Sequence, residues 1–317
     1  MKQRIITGLG ITALLVLVLF SRALTPYIFD VFAGAVAVLA AFELSNLLTK
    51  GRNYNYGIII GLAPIVIYVA YILGVHFELP LYYIITIQII VLTIIALFCL
   101  IVSFIFEKKI KEEMDARNVR TSVTNYSFQK SMNTFLGMLY PSFLFMLLII
   151  MNHFDTLRYM FDKVEGFEAS IGLVALLFAF LIPIFTDTFA YLTGSLFKGK
   201  KLCPNISPNK TISGAIGGIF WSMVGAVVLY FVLFSIPSTN TLLISIGLEF
   251  WHILILGFVG SIASQAGDIF ESYLKRRAGV KDSGNILPGH GGILDRIDSH
   301  IFNAPVVFVF FLIFLLI

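Results

Sequence analysis

Nine apolar runs follow one another along the chain, near residues 5–22, 27–49, 57–75, 81–106, 134–152, 170–194, 212–236, 250–274 and 302–317. A helix needs about 20 apolar residues, within a range of roughly 17–25, to cross the hydrocarbon core of a bilayer. Composition points the same way. Of the 317 residues, 58% are hydrophobic and 13% charged, against about 45–50% and about 25% in soluble domains. A globule in water has nowhere to put so much apolar surface, and a chain this hydrophobic does not stay disordered. The expected fold is an all-α polytopic membrane protein with about nine transmembrane helices. Pro64 and Pro183 fall inside two of the runs, where neighbouring helices of a bundle can tolerate them.

Basic residues orient the spans, because Lys and Arg accumulate in cytoplasmic loops. With the N-terminus inside, nineteen of the 22 Lys and Arg residues fall on the cytoplasmic side, and only Arg22, Arg158 and Lys163 on the other. Moving the count by one span would scramble this alternation for every later loop, so the C-terminus is expected outside. Lys2 and Arg4 ahead of Ile5–Phe20 look like the start of a secretory signal, but no small-residue cleavage site follows. The segment therefore reads as a retained first helix. The outer loop 153–169 is acidic, through Asp155, Asp162, Glu165 and Glu168. The charged stretch 107–131 reads as an amphipathic surface helix or a solvated linker near headgroups. Basic residues confined to short loops between apolar runs do not fit nucleic-acid binding. Cys99 and Cys203 lack metal-ligand spacing and are not expected to pair.

Residues 1–133 read as transmembrane scaffold and 134–317 as the region that carries chemistry. Ionisable residues in or at the ends of apolar runs are costly unless they face a cavity or a partner. Asp30 and Glu43, in the second run, read as interfacial or as a structural pair. The densest polar constellation spans 268–298. Asp268, Glu271, Ser272 and Lys275 recur three or four apart, so one helix face presents them all. Five glycines between 279 and 292 let backbone N–H groups approach a ligand. Asp295 and Asp298 share a face if a helix resumes there. Carboxylates among Lys, Arg and glycine suit a phosphorylated substrate with Mg²⁺, a hard ion that takes one or two carboxylates plus phosphate oxygens. A second polar stretch, 187–214, has Lys-rich turns with Ser, Thr and Gly able to hold a nucleotide triphosphate, although its spacing is not that of a P-loop.

At these residues the chain resembles the phosphatidate cytidylyltransferases. The family signature runs Ser-x-hydrophobic-Lys-Arg, four residues, Lys-Asp, then Pro-x-His-Gly-Gly and Asp-Arg-x-Asp. Ser272, Lys275, Arg276, Lys281, Asp282, Pro288, His290, Gly291, Gly292, Asp295, Arg296 and Asp298 fill it without a gap. The upstream stretch is similar in Asp187, Thr188, Ala190 and Tyr191, and in Ser207, Pro208, Lys210 and Thr211. It departs from the family at Phe189, Ser195 and Ser213. The resemblance implies a reaction of CTP with phosphatidic acid to give CDP-diacylglycerol and pyrophosphate, at the cytoplasmic face of the cell membrane.

It also implies roles for individual residues. Asp268, Asp295 and Asp298 are expected to hold Mg²⁺, with Asp187 and Glu271 as further carboxylates and room for a monovalent cation. Lys275, Arg276, Lys281 and Arg296 would neutralise phosphates, with Asp282 and His290 beside them in the catalytic turn. Asp187, Ser207, Lys210, Thr211, Gly291 and Gly292 would contact substrate. Membrane lipids and a second copy in a homodimer are the remaining partners. Two other readings stay open at this stage: a CTP-dependent transferase acting on another lipid phosphate or lipid alcohol, and a cation-coupled transporter. A transporter commonly distributes its polar sites over repeated halves, whereas here they gather toward one end of the chain.

Overall fold

The computed structural model of the chain describes residues 2–22, 24–51, 54–155, 157, 169–289 and 291–316, with side chains described for Gly10 and from residue 13 on. Its helices are α1 (Lys2–Ser21), α2 (Tyr27–Lys50), α3 (Gly57–His76), α4 (Leu81–Ile105), α5 (Glu107–Ala116) and α6 (Val123–Gly137). A π-helical turn, Met138–Phe143, joins α6 to α7 (Leu144–Asn152). Then come α8 (Ile171–Phe197), α9 (Ile212–Phe234), α10 (Pro237–Ser245), α11 (Phe250–Arg277) and α12 (Leu294–Leu316). Among the described residues eight helices are long and apolar enough to cross a membrane: α2, α3, α4, the continuous Val123–Asn152, α8, α9, α11 and α12. Each lies on one of the expected apolar runs, and the first run is helical as α1. Helices α3 and α8 continue through Pro64 and Pro183.

Two helix starts differ from the hydropathy reading. The fifth run was expected from 134 and the last from 302, but the helices begin at Val123 and Leu294. In both, the first turns carry polar residues that face protein rather than lipid: Ser127, Lys130, Ser131 and Thr134 in α6, Asp298 and Ser299 in α12, all buried. Hydropathy falls there while the helix continues. The boundary expected after residue 133 lies inside α6, and one buried core extends from Val18 to Leu315. At Tyr140 the backbone leaves helical geometry (φ −117°, ψ 118°) immediately before Pro141, whose ring disfavours the α region for the residue preceding it.

The helical architecture agrees with the all-α expectation and carries one small addition. Strands β1 (Lys201–Cys203) and β2 (Ser207–Thr211) form a small antiparallel hairpin, with Lys201 opposite Thr211. Outside the hydrophobic segments the backbone has no lipid to force it into a helix, and these short runs satisfy each other's polar groups instead. Thr211 ends the hairpin and begins α9: its hydroxyl accepts from Gly214 N at 3.1 Å, an N-cap.

Helices α8, α9, α11 and α12 pack most extensively, α8 against α9 above all. Close approach there requires glycine: a Cβ on Gly218 would stand 2.9 Å from Thr186 O. Helix α4 is the most lipid-exposed span, with only 22% of its apolar window buried, and Leu97, Phe98 and Ile101 face outward. Two ends of the bundle are defined by contacts. At one, Arg22 after α1 meets Asn152 Oδ1 (2.6 Å) and Asp155 (2.6 Å), with Ser170 at the start of α8. Asp30 accepts there from Tyr68 (3.0 Å) and Asn152 (2.9 Å) and pairs with His153 (2.7 Å). At the other end lie the C-termini of α2 and α11, the hairpin and the start of α12. Asp30 and Glu43 therefore serve separate networks and are not a pair. The stretch 107–131 supplies α5, whose Ile110 and Met114 pack on Tyr126 while Glu107–Lys111 and Glu113–Arg117 ion pairs run along its surface.

Candidate active site

The end of α11 is where charge enters the bundle. Asp268, Glu271, Ser272 and Lys275 do share one face. Asp268 Oδ2 receives Lys210 Nζ from the hairpin at 2.6 Å, and Ser272 Oγ donates to Asp268 Oδ1 at 3.4 Å. Glu271 is fully buried and pairs with Lys275. The same ammonium donates to Asp295 Oδ1 at 2.7 Å, so Lys275 bridges two carboxylates and its side chain is only 12% exposed. Arg276, one residue on, turns outward and donates from Nε to Ile206 O at 3.0 Å, tying the hairpin to this end of α11.

Between α11 and α12 the chain makes a compact turn. Gly279, Gly289 and Gly291 adopt positive φ, and Leu287 N donates to Gly291 O at 2.9 Å. Gly291 is required twice over, since φ is 83° and a Cβ would stand 2.7 Å from Asp295 Oδ2. Asp295 organises the turn from inside: Oδ2 accepts from Gly292 N (2.8 Å), Ser283 N (2.9 Å) and Ser283 Oγ (2.9 Å). Glu43 approaches from α2 and accepts from Ile293 N (3.1 Å), Leu294 N (2.8 Å) and Ser283 Oγ (3.2 Å). Lys281, Asp282 and Arg296 are left exposed on the outer side of the turn.

Two cavities flank this assembly. The smaller, about 470 Å³, is lined by Lys281, Asp282, Asn285, Pro288, Gly291 and Arg296. The larger, about 730 Å³, lies between α8, α9 and the hairpin, with Asp187, Tyr191, Lys198, Lys201, Lys210, Thr211 and Asp268 on its wall. Asp187 Oδ2 accepts from Ser299 Oγ at 3.0 Å, and Ser299 N donates to Asp298 Oδ1 at 2.8 Å. Asp298 feels the charges of Asp268, Glu271 and Asp187.

The donor set fits a hard divalent cation. Five carboxylates, Asp187, Asp268, Glu271, Asp295 and Asp298, gather around three cations, Lys210, Lys275 and Arg296. Among the described residues, Asp187 and Asp298 accept hydrogen bonds only from Ser299, and Glu271 Oε1 and Tyr140 Oη, both buried, have no hydrogen-bond partner. No three such side chains converge as a ready-made cage among the described residues. An ion such as Mg²⁺ does not require one, since it takes one or two carboxylates and completes its shell with phosphate oxygens and water.

The expected site residues thus fall into three groups. Asp187, Lys210, Thr211 and Asp268 line the larger cavity; Lys281, Asp282, Gly291 and Arg296 line the smaller. Lys275, Asp295 and Gly292 line neither; they are joined to one another through Asp295, which is already surrounded by four donors. Ser207 lies on β2 and Arg276 braces the hairpin. His290 lies outside the described residues. Glu43, Ser283 and Ser299 were not expected at the site. Glu43 was conspicuous as a charge within an apolar run, but the partners that explain it are about as far away in sequence as the chain permits.

Helices long and apolar enough to span a membrane, with carboxylates, lysines and a glycine turn gathered at one end, define a multi-pass membrane protein with a polar site at one end of its bundle. Residues 2–314 match the profile of the Cytidylyltransferase family, and the chain belongs to it. Phosphatidate cytidylyltransferase of Staphylococcus haemolyticus is 46% identical to it over 138 residues, which is 44% of this chain and 49% of the relative. The Staphylococcus saprophyticus protein of the same name is 44% identical, and that of Staphylococcus aureus strain COL 46%, over the same coverage. The aligned stretch therefore spans about half the length of these curated relatives.

Proposed function

We propose that this chain transfers a cytidylyl group from CTP to phosphatidic acid, releasing pyrophosphate and CDP-diacylglycerol. The observation that carries the reading is the pair of polar cavities at one end of the bundle, one lined by the basic glycine turn and the other by the lysine-rich hairpin with Asp187 and Asp268, in a member of the Cytidylyltransferase family. The names of the staphylococcal relatives supply the substrate.

The chemistry needs what these residues offer. A phosphate oxygen of phosphatidate forms a bond to the α-phosphorus of CTP, and the bond from that phosphorus to the β-bridging oxygen breaks, with its electron pair leaving on pyrophosphate. The attacking monoester has a second pKa of about 6, so it is largely dianionic at neutral pH and needs no strong base. The difficulty is bringing anions together. Lys281 and Arg296 face the smaller cavity, and Lys198, Lys201 and Lys210 the larger, so positive charge meets phosphate from two sides. Backbone N–H groups of the turn add fixed donors. Asp298, with Asp268 or Asp187 beside it, would hold Mg²⁺ together with phosphate oxygens, with Asp295 close behind as the anchor of the turn. When bound, the ion neutralises phosphate charge and orients the reacting groups.

The membrane arrangement belongs to the same reading. With α1 as a ninth span, the N-terminus lies in the cytoplasm and the C-terminus outside. The hairpin, the turn 278–293 and the end of α2 then share the cytoplasmic face, close to soluble CTP, while lipid reaches the site from the bilayer. The deciding assay is purified protein with labelled CTP, phosphatidic acid and Mg²⁺: a lipid-soluble cytidine product is expected, and its absence would overturn the reading.

A further inference from the structure

Glu43 belongs to α2, a helix that brings no side chain to either cavity, yet the residue is only 5% exposed and sits within a candidate membrane span. An anion in that position is costly without partners. Each hydrogen bond it accepts among the described residues comes from one segment, 283–294: Ser283 Oγ, Ile293 N and Leu294 N. The two backbone donors open α12, where N–H groups lack helical partners and a negative charge is favoured. Room for the carboxylate is made by glycine, because a Cβ on Gly284 or Gly292 would stand 2.7 Å from Glu43 Cδ. Ser283 Oγ is shared with Asp295 Oδ2, so the turn is gripped from its own helix and from the scaffold at once.

We propose that Glu43 is a positioning residue for the transfer reaction: its carboxylate fixes the turn 283–294 to α2 and so sets where Lys281, Asp282 and Arg296 meet phosphate. A shift of about 1 Å in groups that align reactants is enough to cost about a hundredfold in rate. The activity part of this inference rests on the function proposed above; the anchoring part does not.

The test compares wild type, Glu43→Gln and Glu43→Asp as full chains purified in lipid nanodiscs. Glutamine keeps the shape but turns an amide N–H₂ toward donors. Backbone hydrogen exchange at 283–294 should quicken by at least about tenfold in Glu43→Gln, the loss of charged hydrogen bonds being of that size, while α3 and α9 keep wild-type protection. Turnover per folded molecule should fall by a similar factor, about tenfold, with a smaller change in KM for CTP, and Glu43→Asp, which restores the charge, should recover part of it. A residue that merely holds the bundle together would instead loosen exchange in all helices and reduce the amount of folded enzyme at unchanged turnover per molecule. That result, or wild-type exchange at 283–294 in Glu43→Gln, overturns the proposal. If Glu43→Gln does not fold, Glu43→Asp decides: exchange raised only at 283–294 supports positioning, and uniform exchange rejects it. If wild type itself makes no cytidine lipid, the function falls, and the exchange comparison still decides the anchoring.

Discussion

Lys275 Nζ lies 2.7 Å from Asp295 Oδ1 while also pairing with Glu271, so one buried ammonium joins the end of α11 to the start of α12. Its charge is balanced within the protein before any substrate arrives. Lys281, six residues later, is exposed and lines the smaller cavity. The two lysines occur in one motif and do different work.

Replacing them should therefore give different phenotypes. Removing one partner of a buried ion pair costs about 3–5 kcal/mol because the other is left uncompensated. Lys275→Met should lower both thermal stability in detergent and activity. Lys281→Met should fold as wild type but lose at least about tenfold in kcat/KM, a charge-assisted contact being worth about 1.5–3 kcal/mol. Equal melting temperatures for wild type and Lys275→Met would remove the bridging role.

Activity should depend on a divalent cation held at Asp298. Asp298 is 8% exposed among other carboxylates, and its hydrogen-bond donor is Ser299 N. Chelation should abolish product formation, and Mg²⁺ should restore it. Asp298→Asn keeps the shape and removes the charge, so turnover should fall by at least about a hundredfold, the size of effect seen when transition-state charge loses a stabilising group. Full activity after chelation would show that the carboxylates serve structure alone.

The docking of α5 should weaken in acid. Burial pushes the Glu113 carboxyl up, but the Lys130 ammonium, the Tyr126 hydroxyl and Arg117 outweigh it and leave the group below its ordinary value of 4.5. A depressed folded pKa contributes stability above the unfolded value, lost as pH falls through the folded one. The contribution is thus present above about pH 4.5 and disappears below it. Glu113→Gln should flatten the acid limb of a melting-temperature profile; an unchanged profile would mean that the ion pair with Lys130 contributes nothing.

Topology can be tested at two loops. In a background with Cys99 and Cys203 replaced, Leu24→Cys and Asn285→Cys are both exposed positions. They should label from opposite sides of sealed vesicles, Asn285→Cys from the cytoplasmic side. Labelling of both from one side would break the alternation of nine spans.

The membrane spans were legible because lipid imposes a local rule: each crossing must carry its own apolar length and satisfy its own backbone. Local too was the face of Asp268, Glu271, Ser272 and Lys275, which follows from helical spacing alone. Where polar side chains face protein, the rule fails, and the starts of α6 and α12 moved to Val123 and Leu294 for that reason. Tertiary structure alone decided that Lys275 is spent on Glu271 and Asp295, that a hairpin carries Lys210 to Asp268, and that Asp187 and Asp268 line one cavity while Lys281 and Arg296 line another. Glu43 shows why. Its charge was visible in an apolar run, but its donors at Ile293 and Leu294 lie 250 and 251 residues away. No spacing in a sequence encodes a contact of that range; it exists because α2 and α12 pack side by side and a buried carboxylate must find its hydrogen bonds wherever the fold supplies them.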